Sequence, residues 1–196
     1  MQKCLFLGYR SPKTKLISFI KKKGLSVKSL KRKIFLKDVK DKDLIVSFGY
    51  RHLIDKKIIS NLKHPIINLH ISLLPNNRGA HPNFWSLVEN KKTGVTIHEI
   101  DNGVDTGPII AQKKIKFNIK LKNQDTFKKT YKILIRSIEN LFKENFEKIL
   151  NHNYSTKKQP NNKYVVHKKK DLPVFLKNWS TNIIKFKKLY SLAKES

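Results

Sequence analysis

Apolar runs of strand length alternate along this chain with segments of helical spacing, and this alternation constrains the fold more than any other feature. The clearest run, Leu44–Phe48, follows a charged turn at residues 40–43. Such a run is typical of a parallel strand that is buried on both faces. Residues 4–7 predict an earlier strand, and the turn at 8–12 opens a helix. Strands that alternate with helices predict an α/β fold: a doubly wound, mostly parallel sheet with flanking helices, in which Leu44–Phe48 is central.

Weaker patterns supply the remaining elements. They predict a strand over residues 25–30, a helix or loop over 34–39, a helix over about 52–62 and a strand over 66–71. Pro82 suits the first position of a helix, and a further strand starts at Val95. A long amphipathic helix is predicted from an N-cap at Asp125 to Leu150.

The length of 196 residues fits one domain with a short appendage. We predict a catalytic domain over 1–150 and a C-terminal appendage over 151–196 that packs on the domain or on a second subunit, so a homodimer is plausible on this pattern. The single cysteine, Cys4, excludes an internal disulfide, and no Cys/His array predicts a metal site. We expect a soluble protein of a reducing cytoplasm with no membrane partner, because no apolar run approaches the roughly 20 residues that span a bilayer.

The formal charge of +29, from 43 Lys and Arg against 14 Asp and Glu, has two readings. A strongly basic chain suits nucleic acid, an acidic membrane surface or a phosphorylated substrate. However, lysine is spread along the whole chain together with Asn and Ile, a mixture that AT-rich coding sequences produce without selection for a ligand. The charge therefore does not by itself assign a partner.

An amide and an imidazole, Asn68 and His70, lie two residues apart on a predicted strand. Side chains alternate along a strand, so these two point to the same face and can act on one small molecule. Asp105 lies in a Gly-rich loop after the strand that starts at Val95, and loops on a rigid sheet often carry chemistry. Amide, imidazole and carboxylate together suit acyl transfer. Taken alone, Asn68 could satisfy backbone groups at a strand end, and His70 could be a core histidine.

Three motifs carry a resemblance to a known family. They are Asn68-x-His70 followed by Ser72-Leu73-Leu74-Pro75 and Arg78-Gly79, then Gly94-Val95-Thr96-Ile97-His98, then Asp101-x-Gly103-x-Asp105-x-Gly107. In this order and spacing they resemble the folate-dependent formyltransferase family, across roughly positions 44–117. The string 76–86 most resembles the branch that formylates nucleotide-linked amino sugars. The resemblance implies a Rossmann-like core.

The resemblance also implies a reaction and a cofactor. A formyl group would move from 10-formyltetrahydrofolate to the amine of a nucleotide-linked amino sugar, for surface polysaccharide synthesis. Asn68 would donate an N–H to the oxyanion, and His70 would take the proton of the amine or donate to the leaving nitrogen. Asp105 would hold His70 in the useful tautomer or pass protons through a water. Backbone groups would cradle the pterin ring around Arg51, His52 and Leu53, and around Asp101 and Val104.

Several further residues are candidates with two interpretations each. Arg78 would grip a substrate phosphate or brace its loop. Trp85 would be a sugar or base platform or part of the core. His81 is a candidate for substrate binding, Asp101 would either contribute to the pterin site or only stabilise the turn at Gly103, and His98 is predicted to be structural.

Two departures from the family pattern bear on function. The stretch before Asn68 is shorter than usual, so one βα unit appears trimmed or missing, which concerns folate binding. The tail is too short for a large second domain that would hold tRNA, so nucleic acid is not the expected partner. The alternatives are formylation of glycinamide ribonucleotide or methionyl-tRNA, or a degenerate fold that acts as a basic RNA-binding module.

Overall fold

A six-stranded sheet forms the centre of the computed structural model, which describes residues 1–120, 125–160 and 164–195. The strands are β1 (Lys3–Gly8), β2 (Ser26–Leu30), β3 (Leu44–Phe48), β4 (Ile67–His70), β5 (Arg78–Gly79), β6 (Gly94–Glu99), β7 (Ile109–Lys114) and β8 (Val166–His167). The helices are α1 (Leu16–Lys22), α2 (Leu36–Val39), α3 (Lys56–Ile59), α4 (Pro82–Val88), α5 (Phe127–Leu150) and α6 (Ile183–Glu195). A single 3₁₀ turn, Lys169–Asp171, precedes α6 among the described residues.

The order of strands in the sheet is β2-β1-β3-β4-β6-β7. The first four strands are parallel, and β6 and β7 add antiparallel to one side. The prediction of a doubly wound, mostly parallel sheet is confirmed, with β3 in its interior. The antiparallel addition matters for function, because it brings β6 directly beside β4.

Alternating side chains of β1 fill two separate cores. Phe6 belongs to the larger cluster, which packs beneath α1 and α5, whereas Leu5 and Leu7 point to the opposite face beneath α2 and α3. The long helix α5 contributes a buried stripe at helical spacing: Leu134, Ile138, Phe142, Phe146 and Ile149. Helices therefore cover both faces of the sheet, as an apolar parallel sheet requires.

Two predicted helices have different boundaries in the structure. The helix predicted over 52–62 is reduced to Lys56–Ile59. Its start is set by Asp55, whose side chain caps the helix by accepting a hydrogen bond from the backbone N–H of Lys57 at 2.8 Å. The N-cap of α5 is Thr126 and not Asp125. Thr126 has an extended backbone, and its hydroxyl oxygen accepts a hydrogen bond from the backbone N–H of Lys129. Helices α2 and α3 have four residues each. That one βα unit before Asn68 is trimmed or missing relative to the family stays a prediction.

The described residues of the predicted appendage pack on the rest of the chain. Residues 161–163 and 196 lie outside the described residues. Ile183 and Phe186 of α6 are buried against Phe84 of α4 and Phe127 of α5. Strand β8 pairs in parallel with β5, so the tail also reaches the loop after β4. No helix in the described part of the chain is long and apolar enough to cross a membrane.

Candidate active site

Asn68 and His70 lie on β4, and both side chains approach the carboxylate of Asp105. The Asn68 amide Nδ2 donates to Oδ1 of Asp105 at 3.2 Å, and Nδ1 of His70 lies 3.6 Å from Oδ2. The three residues that the sequence predicts as catalytic are therefore brought together. Since β6 is antiparallel, its last residue lies beside the first residue of β4, and the loop after β6 folds back to carry Asp105 to this point.

The carboxylate of Asp105 is held in its charged form. Burial alone raises its pKa, but neighbouring His70 and His98 and the backbone N–H of Gly79, which donates to Oδ2 at 2.8 Å, lower the pKa well below its ordinary value. Asp105 itself has a φ of 52°, in the left-handed region. This carboxylate is consequently a fixed negative charge at neutral pH.

His70 is buried and neutral at neutral pH. Burial lowers its pKa below the ordinary value, and the nearby Asp105 only partly opposes this shift. Its second ring nitrogen, Nε2, lies 3.2 Å from the backbone carbonyl oxygen of Asn77. A neutral imidazole of this kind is able to take a proton from a reacting group.

His98, predicted to be structural, contacts two residues of the candidate site, Asn68 and Asp105. Its Nε2 lies 3.0 Å from Nδ2 of Asn68 and 3.5 Å from Oδ1 of Asp105. Its Nδ1 lies 2.7 Å from the carbonyl oxygen of Glu99, an atom that only accepts, so Nδ1 carries a proton. The signal for this position is the register of the sheet, in which Asn68 and His98 are directly opposite. The sequence does not reveal that register.

Gln159 is a site residue that sequence reasoning missed. Its side-chain amide donates to the backbone carbonyl oxygens of Asp105 at 3.0 Å and Gly107 at 2.7 Å. Its carbonyl oxygen accepts a 2.7 Å hydrogen bond from Arg78. Gln159 is buried, although it belongs to the polar tail, where no periodic pattern marks a residue as internal. The tail therefore holds the loop that bears Asp105.

The contacts of Arg78 and Asp101 fit the structural interpretation of each residue. Arg78 is buried, donates to Gln159, and lies over the ring of Tyr164, 5.3 Å from its centroid, so it braces the loop after β4. One carboxylate oxygen of Asp101 accepts from the N–H of Gly103 at 3.1 Å and from the hydroxyl of Thr106 at 2.6 Å. Asp101 thus stabilises its turn. A role of either residue in binding a ligand stays a prediction.

The remaining candidates differ in accessibility. Trp85 is 4% exposed and its indole stacks on the ring of His167 at 4.1 Å, so the core interpretation fits and the platform interpretation does not. His81 is partly exposed and its ring lies 5.4 Å from that of Trp179, which is 40% exposed. The exposed tryptophan near the predicted substrate residues is thus Trp179.

The loop after β3 is open to solvent. Its members Arg51 and His52 are exposed, and Leu53 has 78% of its surface exposed. Val104 of the loop after β6 is partly buried. The contacts described above for the Asn68–His70–Asp105 cluster do not include these residues, so their cofactor role stays a prediction. Within residues 1–120, 125–160 and 164–195, no group of three potential ligand side chains surrounds a metal position.

This chain matches a known protein family and resembles a solved structure. The family model described as formyl transferase matches residues 7–136. The chain resembles the crystal structure of the formyltransferase PseJ from Anoxybacillus kamchatkensis, in complex with UDP-4,6-dideoxy-4-formamido-L-AltNAc and tetrahydrofolate. The two are 36% identical with a TM-score of 0.84, over 93% of this chain and 96% of that one.

Curated relatives share shorter regions. A dTDP-4-amino-4,6-dideoxyglucose formyltransferase of Mycobacterium tuberculosis is 33% identical over 115 residues, which is 59% of this chain and 47% of the relative. A methionyl-tRNA formyltransferase of Thermodesulfovibrio yellowstonii is 45% identical over 87 residues, 43% of this chain and 28% of the relative. The matched region thus spans less than half the length of these two curated relatives.

Proposed function

The chain belongs to the formyl transferase family, and from that premise we propose that it transfers a formyl group from 10-formyltetrahydrofolate to the amine of a nucleotide-linked amino sugar. The observation that carries this proposal is the similarity to PseJ along nearly the whole of both chains. The ligands of that protein are a sugar nucleotide bearing a formamido group, which is a formylated amine, and tetrahydrofolate. A role in surface polysaccharide synthesis is part of the same proposal.

The Asn68–His70–Asp105 cluster supports this reaction chemically. A neutral amine attacks the formyl carbon, a C–N bond forms, and the bond from that carbon to N10 of the folate breaks. The amine loses one proton, which neutral His70 is able to accept, and N10 gains one as it leaves. The charge of Asp105, 3.6 Å from His70, stabilises the imidazolium that forms.

The oxyanion of the tetrahedral intermediate requires a donor, and Asn68 is the candidate. The two Nδ2 hydrogens of Asn68 already face Asp105 at 3.2 Å and His98 at 3.0 Å. Donation to the oxyanion therefore requires that one of these contacts is released or shared when substrate binds.

The exposed loop after β3 is suited to bind the pterin ring of the formyl donor. The loop after β3 presents the exposed apolar side chain of Leu53 next to the exposed residues Arg51 and His52, and β3 is the direct neighbour of β4. A flat pterin ring needs an apolar surface and backbone hydrogen-bonding groups, which an exposed loop of this kind is able to provide. We propose Arg51, His52, Leu53 and Val104 for that role.

The proposal includes the arrangement of the chain. Residues 1–150 would form the catalytic domain, and the appendage over 151–196 would complete the site through Gln159. A homodimer remains a prediction. We place the protein in the cytoplasm because its one cysteine, Cys4, allows no internal disulfide, which suits a reducing compartment.

A second acceptor class competes with amino sugars. The relative from Thermodesulfovibrio yellowstonii, a methionyl-tRNA formyltransferase, has the higher identity over its 87 matched residues. Methionyl-tRNA therefore belongs in any test as an alternative acceptor, together with glycinamide ribonucleotide. An RNA-binding module without enzymatic activity is the non-enzymatic alternative for a chain of charge +29.

Turnover measured by mass spectrometry tests these possibilities together. The protein is incubated with 10-formyltetrahydrofolate and, separately, with nucleotide-linked amino sugars, glycinamide ribonucleotide and methionyl-tRNA. We expect one formyl group on an amino sugar, lost in H70A and retained in H64A, a control histidine that precedes β4 and stacks on His152. Formylation of methionyl-tRNA alone would replace the sugar assignment. No formylation and no folate binding, with salt-sensitive RNA binding, would overturn the enzymatic proposal.

A further inference from the structure

The two ring nitrogens of His70 lie in different surroundings. Nε2 is 3.2 Å from the backbone carbonyl oxygen of Asn77, and that atom only accepts hydrogen bonds. Nε2 must therefore carry the proton of the neutral ring. Nδ1 then has a lone pair and no proton. Its distance of 3.6 Å from Oδ2 of Asp105 agrees with this, because a protonated Nδ1 would approach the carboxylate to hydrogen-bonding distance.

Both polar atoms of the Asn77 side-chain amide make hydrogen bonds. Its Nδ2 donates to Oε2 of Glu89 at 3.0 Å, and its Oδ1 accepts from the hydroxyl of Ser86 at 3.0 Å. The residue is 5% exposed and has a φ of 52°, a left-handed backbone that Asn tolerates better than most residues. Two side chains on α4 and its end thus fix the direction of the Asn77 carbonyl.

The tail approaches Glu89 from the other side. Oε1 of Glu89 lies 3.3 Å from Nε2 of His167, a buried residue of β8 whose ring stacks on Trp85. Backbone pairing of β8 with Gly79 holds His167 in place. A continuous series of contacts therefore leads from the tail through Glu89 and Asn77 to His70.

We propose that Asn77, oriented by Ser86 and Glu89, is a positioning residue that fixes His70 in its Nε2-protonated form. Nδ1 is then the atom that takes the proton of the attacking amine, and Asp105 faces the new N–H. The proton later passes to the departing N10 of the folate. The part that concerns the amine rests on the proposed function, whereas the position of the proton on His70 does not.

Nitrogen-15 NMR of the histidine-labelled full-length protein tests the position of that proton directly. We expect neutral His70, assigned by the signal missing in H70A, to carry its proton on Nε2. N77G keeps the left-handed backbone that glycine favours but removes both side-chain contacts, so the carbonyl loses its fixed direction. We expect the His70 signals of N77G to report a mixture of the two tautomers. N90G, at a second left-handed Asn outside the site, is the matched control and should leave them unchanged.

Kinetics test the consequence for turnover. We expect N77G to lower kcat by about tenfold or more with KM within about twofold, since the contact acts on the base rather than on binding. E89A should behave like N77G, and E89Q, which keeps an oxygen acceptor for Asn77, should recover most of the activity. E147A, an exposed glutamate of α5, is the control.

A wild-type His70 with its proton on Nδ1 would overturn the proposal, as would N77G and E89A with unchanged spectra and kcat. If N77G does not fold, the wild-type spectrum and the E89A and E89Q pair still decide. If the wild type formylates no amine, the proposed function fails while the spectrum continues to judge the tautomer.

Discussion

Replacing Asp105 by Asn removes one negative charge beside His70 while keeping the shape of the side chain. Oδ2 of Asp105 lies 3.6 Å from Nδ1 of His70, and it also accepts the N–H of Gly79, a bond that the Asn oxygen is able to keep. Two opposite unit charges at such a distance attract by about 4 kcal/mol at an effective dielectric constant of about 20. Because about 1.4 kcal/mol corresponds to tenfold in rate, D105N should lower kcat by roughly 100- to 1000-fold.

The pH dependence of D105N gives a second, independent readout. Asp105 opposes the effect of burial on His70 and so raises the pKa of that imidazole. Removing the charge lowers the pKa further, and the neutral base then persists to more acid pH. The acid limb of kcat should therefore lie below the ordinary histidine range in the wild type and lower still in D105N.

Formylation rates across the acid pH range, with D55N at the exposed cap of α3 as the control, measure both effects. A D105N enzyme within about tenfold of the wild type would mean that Asp105 does not stabilise a charged His70. An acid limb that moves to higher pH would contradict the assigned sign of the interaction.

Three further changes test the fold. Arg32 and the backbone lower the pKa of Asp38 from 3.8 to about 2. This shift contributes about 1–2 kcal/mol of stability after discounting for the half-exposed Arg32, and the contribution is lost as pH falls from about 4 towards 2. Urea unfolding of D38N should show no such loss. F186A should cost about 3–5 kcal/mol of unfolding free energy because Phe186 is buried, whereas L192A, at an exposed position, should cost less than about 0.5 kcal/mol in the same denaturant titration. G107A should destabilise the protein by about 1–3 kcal/mol and lower turnover, since a Cβ there would overlap a backbone carbonyl oxygen; near-native thermal unfolding and activity would contradict that reasoning.

Sequence by itself determined the features that depend on local periodicity. The apolar run Leu44–Phe48 forms the predicted buried strand, and Pro82 begins the predicted helix. The spacing of Asn68 and His70 places both side chains on the side where Asp105 lies, because alternation along a strand is a property of the backbone alone. The helix starts were less well determined, since several Asp and Thr residues are able to cap and only the local backbone decides between them.

Tertiary structure alone decided which residues surround that pair. The antiparallel β6 places His98 opposite Asn68, and a tail residue more than fifty positions later, Gln159, holds the loop of Asp105. The carbonyl of Asn77 that faces His70 is equally invisible in the sequence, because any residue has a carbonyl and only its direction matters. Register between strands and the path of a tail are set by contacts between distant parts of the chain, which no local pattern encodes.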